Sequence, residues 1–272
     1  MSFATSPKAT SVTPSVRLRE RARSGVAFGA WCSLPSSSIV EFACAADPDY
    51  FCIDLQHGVV DMGAAISMLQ TASRFDATPV IRVANLEAAG IGRALDMGAE
   101  AVIVPGVNTR AEAAAAVAAC RYAPEGVRSY GPTRAGQLFG NSVSDLEEHA
   151  LCIAMIETAD GLANAESICA TPGLAGIYVG PADLALGLGA NPVDPSEQAV
   201  TDALVHIVDL CGRNDLIAGI HAYESARANE YVEMGFRMVT CAMDTRVLAA
   251  GFAAEFGRMR ELRSSNSAPG NG

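Results

Sequence analysis

"LCIAMIETADGLANAESICATPGLAGIYVGPAD", residues 151–183, contains one complete period of the chain: an apolar β-rich run (151–158), a helical stretch, and a second apolar run (175–181). Read outward in both directions, the same strand-then-helix unit recurs until eight can be counted. The spacing predicts strands at 26–33, 50–56, 78–84, 101–107, 151–158, 175–181, 216–222 and 236–243. An amphipathic or alanine-rich stretch follows each of them, for example "MGAAISMLQTASRF" (62–75) and "TRAEAAAAVAACRY" (109–122). Eight such units predict an α/β chain folded as a (β/α)8 TIM barrel. A doubly wound open sheet is the rival, but it usually carries a glycine-rich phosphate turn after its first strand, and "WCSLPSSS" (31–38) is not one.

Composition agrees with one large domain. The 272 residues are 50% hydrophobic and 18% charged, with a formal net charge of −11. That charge argues against nucleic acid or an anionic membrane as the main partner, since both need clustered cations. No apolar run approaches the ~18 residues of a membrane span, and the N-terminus lacks the apolar core of a secretory signal. A soluble, cytoplasmic protein is expected. The eight cysteines contain no C-x-x-C pair and read as small buried hydrophobes in a reducing compartment. Residues 1–15 and 264–272, rich in Ser, Ala and Pro or Gly, are expected to be mobile tails around a single domain at 16–263. Arg17, Arg19, Arg21 and Arg23 raise the question of a transit peptide, but read more simply as the solvated face of a first helix.

A barrel places chemistry at the C-terminal ends of its strands, where loops line the open mouth. Those ends carry Trp31, Asp54 with Gln56 and His57, Arg82, Pro105, Glu157, Gly180 to Asp183, His221 and Asp244. Glu157 and Asp183 end neighbouring strands, and two such carboxylates want a proton or a cation between them. With oxygen ligands only, the natural occupant is a hard divalent ion: Mg²⁺, Mn²⁺ or Co²⁺. The plainer alternative makes Asp183 a helix N-cap and Glu157 a solvated turn residue. Arg82, at the exit of a buried strand, needs an anion: Glu157 or Asp183 in a structural pair, or a substrate carboxylate. A 2-oxo acid would suit both the carboxylates and the arginine. The chain's only lysine is Lys8, in the N-terminal tail, so Schiff-base catalysis inside the barrel is excluded.

Taken together, "IDLQHG", "VIRVAN", "ALDMGAEAVIVPGV", "RYAPEGVRSYG", "MIETADGLAN" and "YVGPADLALGLG" resemble the signature segments of the HpcH/HpaI family of metal-dependent pyruvate aldolases. The resemblance runs in order from about Gly25 to Leu262. It implies a barrel of the phosphoenolpyruvate/pyruvate type and reversible cleavage of a 4-hydroxy-2-oxo acid to pyruvate and an aldehyde. By the same resemblance, Glu157 and Asp183 are metal ligands and Arg82 holds pyruvate and stabilises its enolate. His57 is the acid and base, paired with Asp96, and Asp54 is the acid at its strand end. Trp31 walls the pocket, and backbone amides around Gly180, Pro181, Ala182 and Asp183 receive the pyruvate carboxylate. Relatives are commonly hexamers with an exchanged helix, so a homo-oligomer is implied.

Three positions depart from many relatives: Gln56 stands for glutamate, Met155 for glutamine and Ser129 for glycine. They bear on the acceptor aldehyde, with Gln56 among the substrate-binding candidates, and leave the ligands untouched. His221 could touch the acceptor or simply bond its loop. The long interruption 123–145, with Arg128, Tyr130, Thr133 and Arg134, is expected to cover a site or to pack on a neighbouring subunit. An oxaloacetate decarboxylase or an acyl-CoA lyase would use the same enolate, but CoA lyases usually show D-L-E-D where this chain has Asp54-Leu55-Gln56-His57.

Overall fold

The computed structural model describes residues 14–266 except 195 and 224. Eight parallel strands close a barrel in sequence order: β1 (Ala27–Cys32), β2 (Tyr50–Asp54), β3 (Thr78–Arg82), β4 (Ala101–Val104), β5 (Leu151–Ile156), β6 (Gly176–Val179), β7 (Ile217–His221) and β8 (Met238–Met243). Helix α1 (Pro14–Ser24) precedes the barrel, and α2 (Ser37–Ala45), α3 (Met62–Ala72), α4 (Ala88–Asp96) and α5 (Arg110–Cys120) follow the first four strands in turn. Two short helices, α6 (Ala135–Phe139) and α7 (Val143–Glu148), precede β5; α8 (Ala159–Ala163) and α9 (Ala165–Cys169) follow it. The remainder are α10 (Pro181–Gly187), α11 (Gln198–Arg213), α12 (Ser225–Met234) and α13 (Asp244–Asn266). Helices therefore reach two residues into the expected N-terminal tail and three into the C-terminal one. Lys8 lies outside the described residues, as does the rest of both tails.

Side-chain parity sorts the core into two layers. One cluster fills the barrel and includes Trp31, Tyr50, Cys52, Val80, Ile103, Ile153, Met155, Tyr178 and Met238. The other lies between barrel and helices and takes the opposite parity, such as Phe51, Ile53, Ile81, Val102 and Ile177. Burial on both sides is why the strands read as unbroken apolar runs rather than alternating ones. Large meets small across the interior: Tyr50 is in register with Gly29, and Tyr178 with Gly219. A Cβ on Gly29 would fall 2.1 Å from the Tyr50 ring, so only glycine admits that ring. Both tyrosine hydroxyls meet Thr240 Oγ1, at 2.8 and 2.7 Å, and satisfy one another's polarity inside the barrel.

The helices start on identifiable caps. Ser36, Asp61 and Thr158 each accept a backbone N–H of the first turn, and Thr109 forms a reciprocal capping box with Glu112. On α11, Val200, Ala203, Leu204, Ile207, Leu210 and Cys211 make the buried stripe that docks on the sheet. All eight cysteines are free, and seven are buried, as expected of small hydrophobes. The arginines of α1 are more than a solvated face: Arg17 pairs with Asp76, Arg21 with Asp49 and Arg23 with Asp215. No helix among the described residues is long and apolar enough to cross a membrane.

Candidate active site

The parity that lines the barrel also selects the site. Residues 31, 54, 82, 157, 180 and 221 continue the interior-facing series of β1, β2, β3, β5, β6 and β7, so their side chains, or the bare Cα of Gly180, converge at the mouth.

Asp54 is the hub. Its Oδ1 accepts Arg82 Nε at 2.8 Å and its Oδ2 accepts Arg82 Nη2 at 2.6 Å, a planar two-bond fork between side chains 1% and 8% exposed. Trp31 Nε1 donates to Oδ2 at 3.2 Å, and the backbone N–H groups of Gln56 and His57 donate to Oδ1 at 3.0 and 3.2 Å. Burial by itself would raise the Asp54 carboxyl, but Arg82 and the two backbone donors outweigh it and hold it below the usual carboxylate range. For Arg82, burial works against the charge, and the Asp54 bonds reverse this and raise the guanidinium above its ordinary value. The partner of Arg82 is thus Asp54, not Glu157 or Asp183. Its Nη1 takes no part in the fork.

Trp31 is 2% exposed and lies under Arg82, whose guanidinium carbon sits 5.0 Å from the ring centroid. It backs the arginine as a floor more than it walls an open pocket. Tyr178 stacks behind it, and His221 meets its edge at 5.0 Å. Burial, then the Arg82 charge, push His221 down to about 4, so it is a neutral imidazole at neutral pH. Its Nε2 and the Gln56 Oε1 are both buried without a hydrogen-bond partner.

Glu157 follows β5 and is buried, with Oε1 accepting the Gly106 N–H at 2.8 Å. Gly106 has φ +65°, a left-handed turn that glycine adopts without strain. Burial raises the Glu157 carboxyl, and repulsion from Asp183 raises it further, against the lowering effects of the Gly106 bond and Arg82. Asp183 is exposed in the first turn of α10, whose N-cap is Gly180. A Cβ on Gly180 would lie 2.9 Å from Glu157 Oε2, so the absent side chain makes room for that oxygen. Pro181 opens α10 without an N–H, leaving the amides of Ala182 and Asp183 as the first donors of the helix. Two carboxylates at the ends of neighbouring strands, one of them buried, are an oxygen donor set that suits a hard divalent cation. The pair stands as two carboxylates: no cluster of three or more His, Cys, Asp or Glu that could hold a metal gathers at this site or at any other among the described residues.

Residues 27–250 match the model of the HpcH/HpaI aldolase/citrate lyase family. The chain belongs to that family. It is 34% identical over 254 residues to a hydroxypyruvate/pyruvate aldolase of Pseudomonas aeruginosa, covering 91% of this chain and 94% of that one. A 4-hydroxy-2-oxo-heptane-1,7-dioate aldolase of Salmonella paratyphi A is 32% identical over 247 residues, or 88% and 93% of the two chains. The solved structure of an HpcH/HpaI aldolase/citrate lyase family protein from Burkholderia cenocepacia superposes with a TM-score of 0.84 at 31% identity, covering 91% of this chain and all of that one. Membership makes this family member a carbon–carbon lyase of the aldolase kind.

Two expectations change within the single chain. Asp96 is the last residue of α4, and each helix of a barrel carries the chain from the mouth back to the base. It therefore lies at the opposite end of the barrel from His57, and its Oδ1 accepts Arg128 Nη2 at 2.7 Å; the His57–Asp96 pair does not form. The segment 123–145 does not cover the mouth of its own barrel. Its Arg134 donates to the carbonyls of Met97 and Leu69, its Tyr130 to Asn141, and α6 and α7 pack on one another. His57 itself is exposed, and its backbone N–H is anchored on Asp54 Oδ1. At the remaining positions, Asp244 is structural: its Oδ2 accepts the Ser33 and Leu34 amides at 2.9 Å each and pins the loop after β1. His149 is satisfied by Glu100 at 3.1 Å.

The role of Asp54 as the partner of Arg82 was missed from sequence, although the signal was present. Both residues occupy the last position of adjacent strands, in register with one another.

Proposed function

We propose that the chain is a divalent-metal-dependent aldolase that reversibly cleaves a 4-hydroxy-2-oxo acid to pyruvate and an aldehyde. The observation that carries this reading is the placement of buried Glu157, held by the Gly106 amide with Oε2 in the space left by Gly180, and of Asp183 in the first turn of α10, beside an arginine locked by Asp54. Glu157 and Asp183 would hold the ion; Mg²⁺, Mn²⁺ and Co²⁺ suit their oxygens, and such an ion supplies Lewis-acid polarisation of the 2-oxo group.

The protein's own groups divide the remaining work. Arg82, fixed in its fork, keeps Nη1 for the keto oxygen and neutralises the charge that grows there as the enolate forms. The amides of Ala182 and Asp183 take the carboxylate. His57, at the open rim, moves the proton between the aldehyde oxygen and water. Asp54 positions both arginine and histidine. Gln56, whose buried Oε1 lacks a partner, bonds the acceptor's hydroxyl, and neutral His221 borders the same space.

Assembly belongs to this proposal. On α13, Phe252, Phe256 and Met259 are about 60% exposed and share one face of the helix, an apolar stripe that fits burial against another copy in a homo-oligomer, a hexamer by resemblance. Asp96 would then reach His57 only from a second copy. A panel of pyruvate with varied aldehydes, and of oxaloacetate alone, with Mg²⁺, Mn²⁺ and Co²⁺ tests the reaction. Aldol product with at least one aldehyde supports it; decarboxylation of oxaloacetate without any aldol activity favours the decarboxylase instead.

A further inference from the structure

A second polar cavity, of about 290 Å3, lies at the base of the barrel, where α1 crosses the segments entering β6, β7 and β8. Three arginines line it, Arg19 and Arg23 from α1 and Arg237 from the turn before β8, against a single acidic residue, Asp215. Their states differ. Arg23 is paired with Asp215. Arg237 uses Nη1 on the carbonyls of Phe236 and Val232, at 2.9 and 3.2 Å, which fix the guanidinium without neutralising it. Arg19, an exposed residue at the rim of the cavity, has no ion pair among the described residues; partial burial and the Arg23 and Arg121 charges push its pKa down against the opposing pull of Asp215 and Glu148.

This arrangement is unusual for its surroundings. The other arginines of α1 are met by acids, Arg17 by Asp76 and Arg21 by Asp49, and the chain as a whole carries −11. Acidic residues are abundant, yet neither Arg19 nor Arg237 makes an ion pair among the described residues. Planar guanidinium forks match tetrahedral oxyanions, and a phosphate group near neutral pH carries about two negative charges. We infer that the base cavity is a binding site for a phosphate group, held between Arg19 and Arg237 while Asp215 keeps Arg23 in place. The cavity exceeds the size of phosphate itself, so a short phosphate monoester fits as well as the free ion. The site is separate from the mouth, where Arg82 is committed to Asp54.

Calorimetric titration of the full-length protein with inorganic phosphate, in phosphate-free buffer at constant ionic strength, tests this. The site predicts saturable binding that saturating pyruvate leaves unchanged. Arg19→Gln weakens it at least tenfold with the circular dichroism spectrum unaltered, and Asp215→Asn, by removing the competing acid, tightens it. A parallel titration with glycerol 3-phosphate separates the two sources: tighter binding than phosphate points to an ester, weaker to the free ion. Absence of saturable binding, binding that Arg19→Gln leaves intact, or competition by pyruvate would overturn the inference.

Discussion

Asp54 and Arg82 stand in register at the ends of β2 and β3 and share two hydrogen bonds, 2.8 and 2.6 Å long. An ion pair so buried depends on both partners, because removing one strands the other's charge away from water. Asp54→Asn keeps the shape and leaves Arg82 uncompensated, so it should cost about 3–5 kcal/mol of folding stability. Urea unfolding at pH 7 reads this directly, and an unchanged midpoint would contradict it. The pH dependence has a definite sign. Asp54 titrates below its unfolded value, so its contribution is complete above about pH 4 and is lost as the pH falls through the depressed folded value. The difference between wild type and Asp54→Asn should therefore narrow towards low pH.

Arg82→Lys retains the charge and loses the fork. A lysine cannot bond both Asp54 oxygens in one plane while presenting a further donor to substrate. The expected loss in kcat is about 10²–10³-fold, the scale for removing one preorganised donor to a developing oxyanion. A change confined to KM would show that Arg82 binds substrate and transition state alike.

Gly180→Ala tests the space around Glu157. The new Cβ would meet Glu157 Oε2 at 2.9 Å and Met155 Cε at 2.6 Å. The methionine tip can turn away, whereas Glu157 is tethered through Oε1 to Gly106. The carboxylate should shift, and Mn²⁺ affinity, measured by calorimetry, should fall about tenfold or more, as for disturbed support of a metal ligand. Unchanged affinity would mean that Oε2 is not a ligand.

The fold was legible because its signal is redundant. Each of the eight strands is an apolar run buried on both sides, and the observed strands fall inside the predicted spans, trimmed by one to three residues at one end or both. Parity then carried much of the site, since Trp31, Asp54, Arg82, Glu157 and His221 all sit at strand ends. What sequence did not yield was pairing. For Arg82 the sequence offered Glu157, Asp183 or a substrate carboxylate, and only the register between β2 and β3 points to Asp54. Asp96 shows the opposite limit: a motif match assigns a role, but the direction of α4 puts the residue at the wrong end of its own barrel.

That geometry makes a prediction about assembly. If a second copy supplies Asp96, then Asp96→Asn and His57→Asn proteins, each weakly active, should regain activity when mixed under conditions that exchange subunits. Mixed assemblies contain some sites with both residues intact. Replacing Phe252 and Phe256 by Asp should disperse the assembly in sedimentation, because it places charge in the apolar stripe of α13. Mixing without recovery would leave Asp96 no part in catalysis.

The central claim is that a divalent ion at Glu157 and Asp183 works with Arg82 to make a pyruvate enolate. Exchange of the pyruvate methyl protons in D₂O, followed by mass spectrometry without any aldehyde, isolates that step. The account predicts exchange that needs Mg²⁺, Mn²⁺ or Co²⁺, stops with excess chelator and falls about 10²-fold or more in Glu157→Gln, the scale for losing one strong transition-state interaction. Undiminished exchange in excess chelator, or in Glu157→Gln, would contradict it.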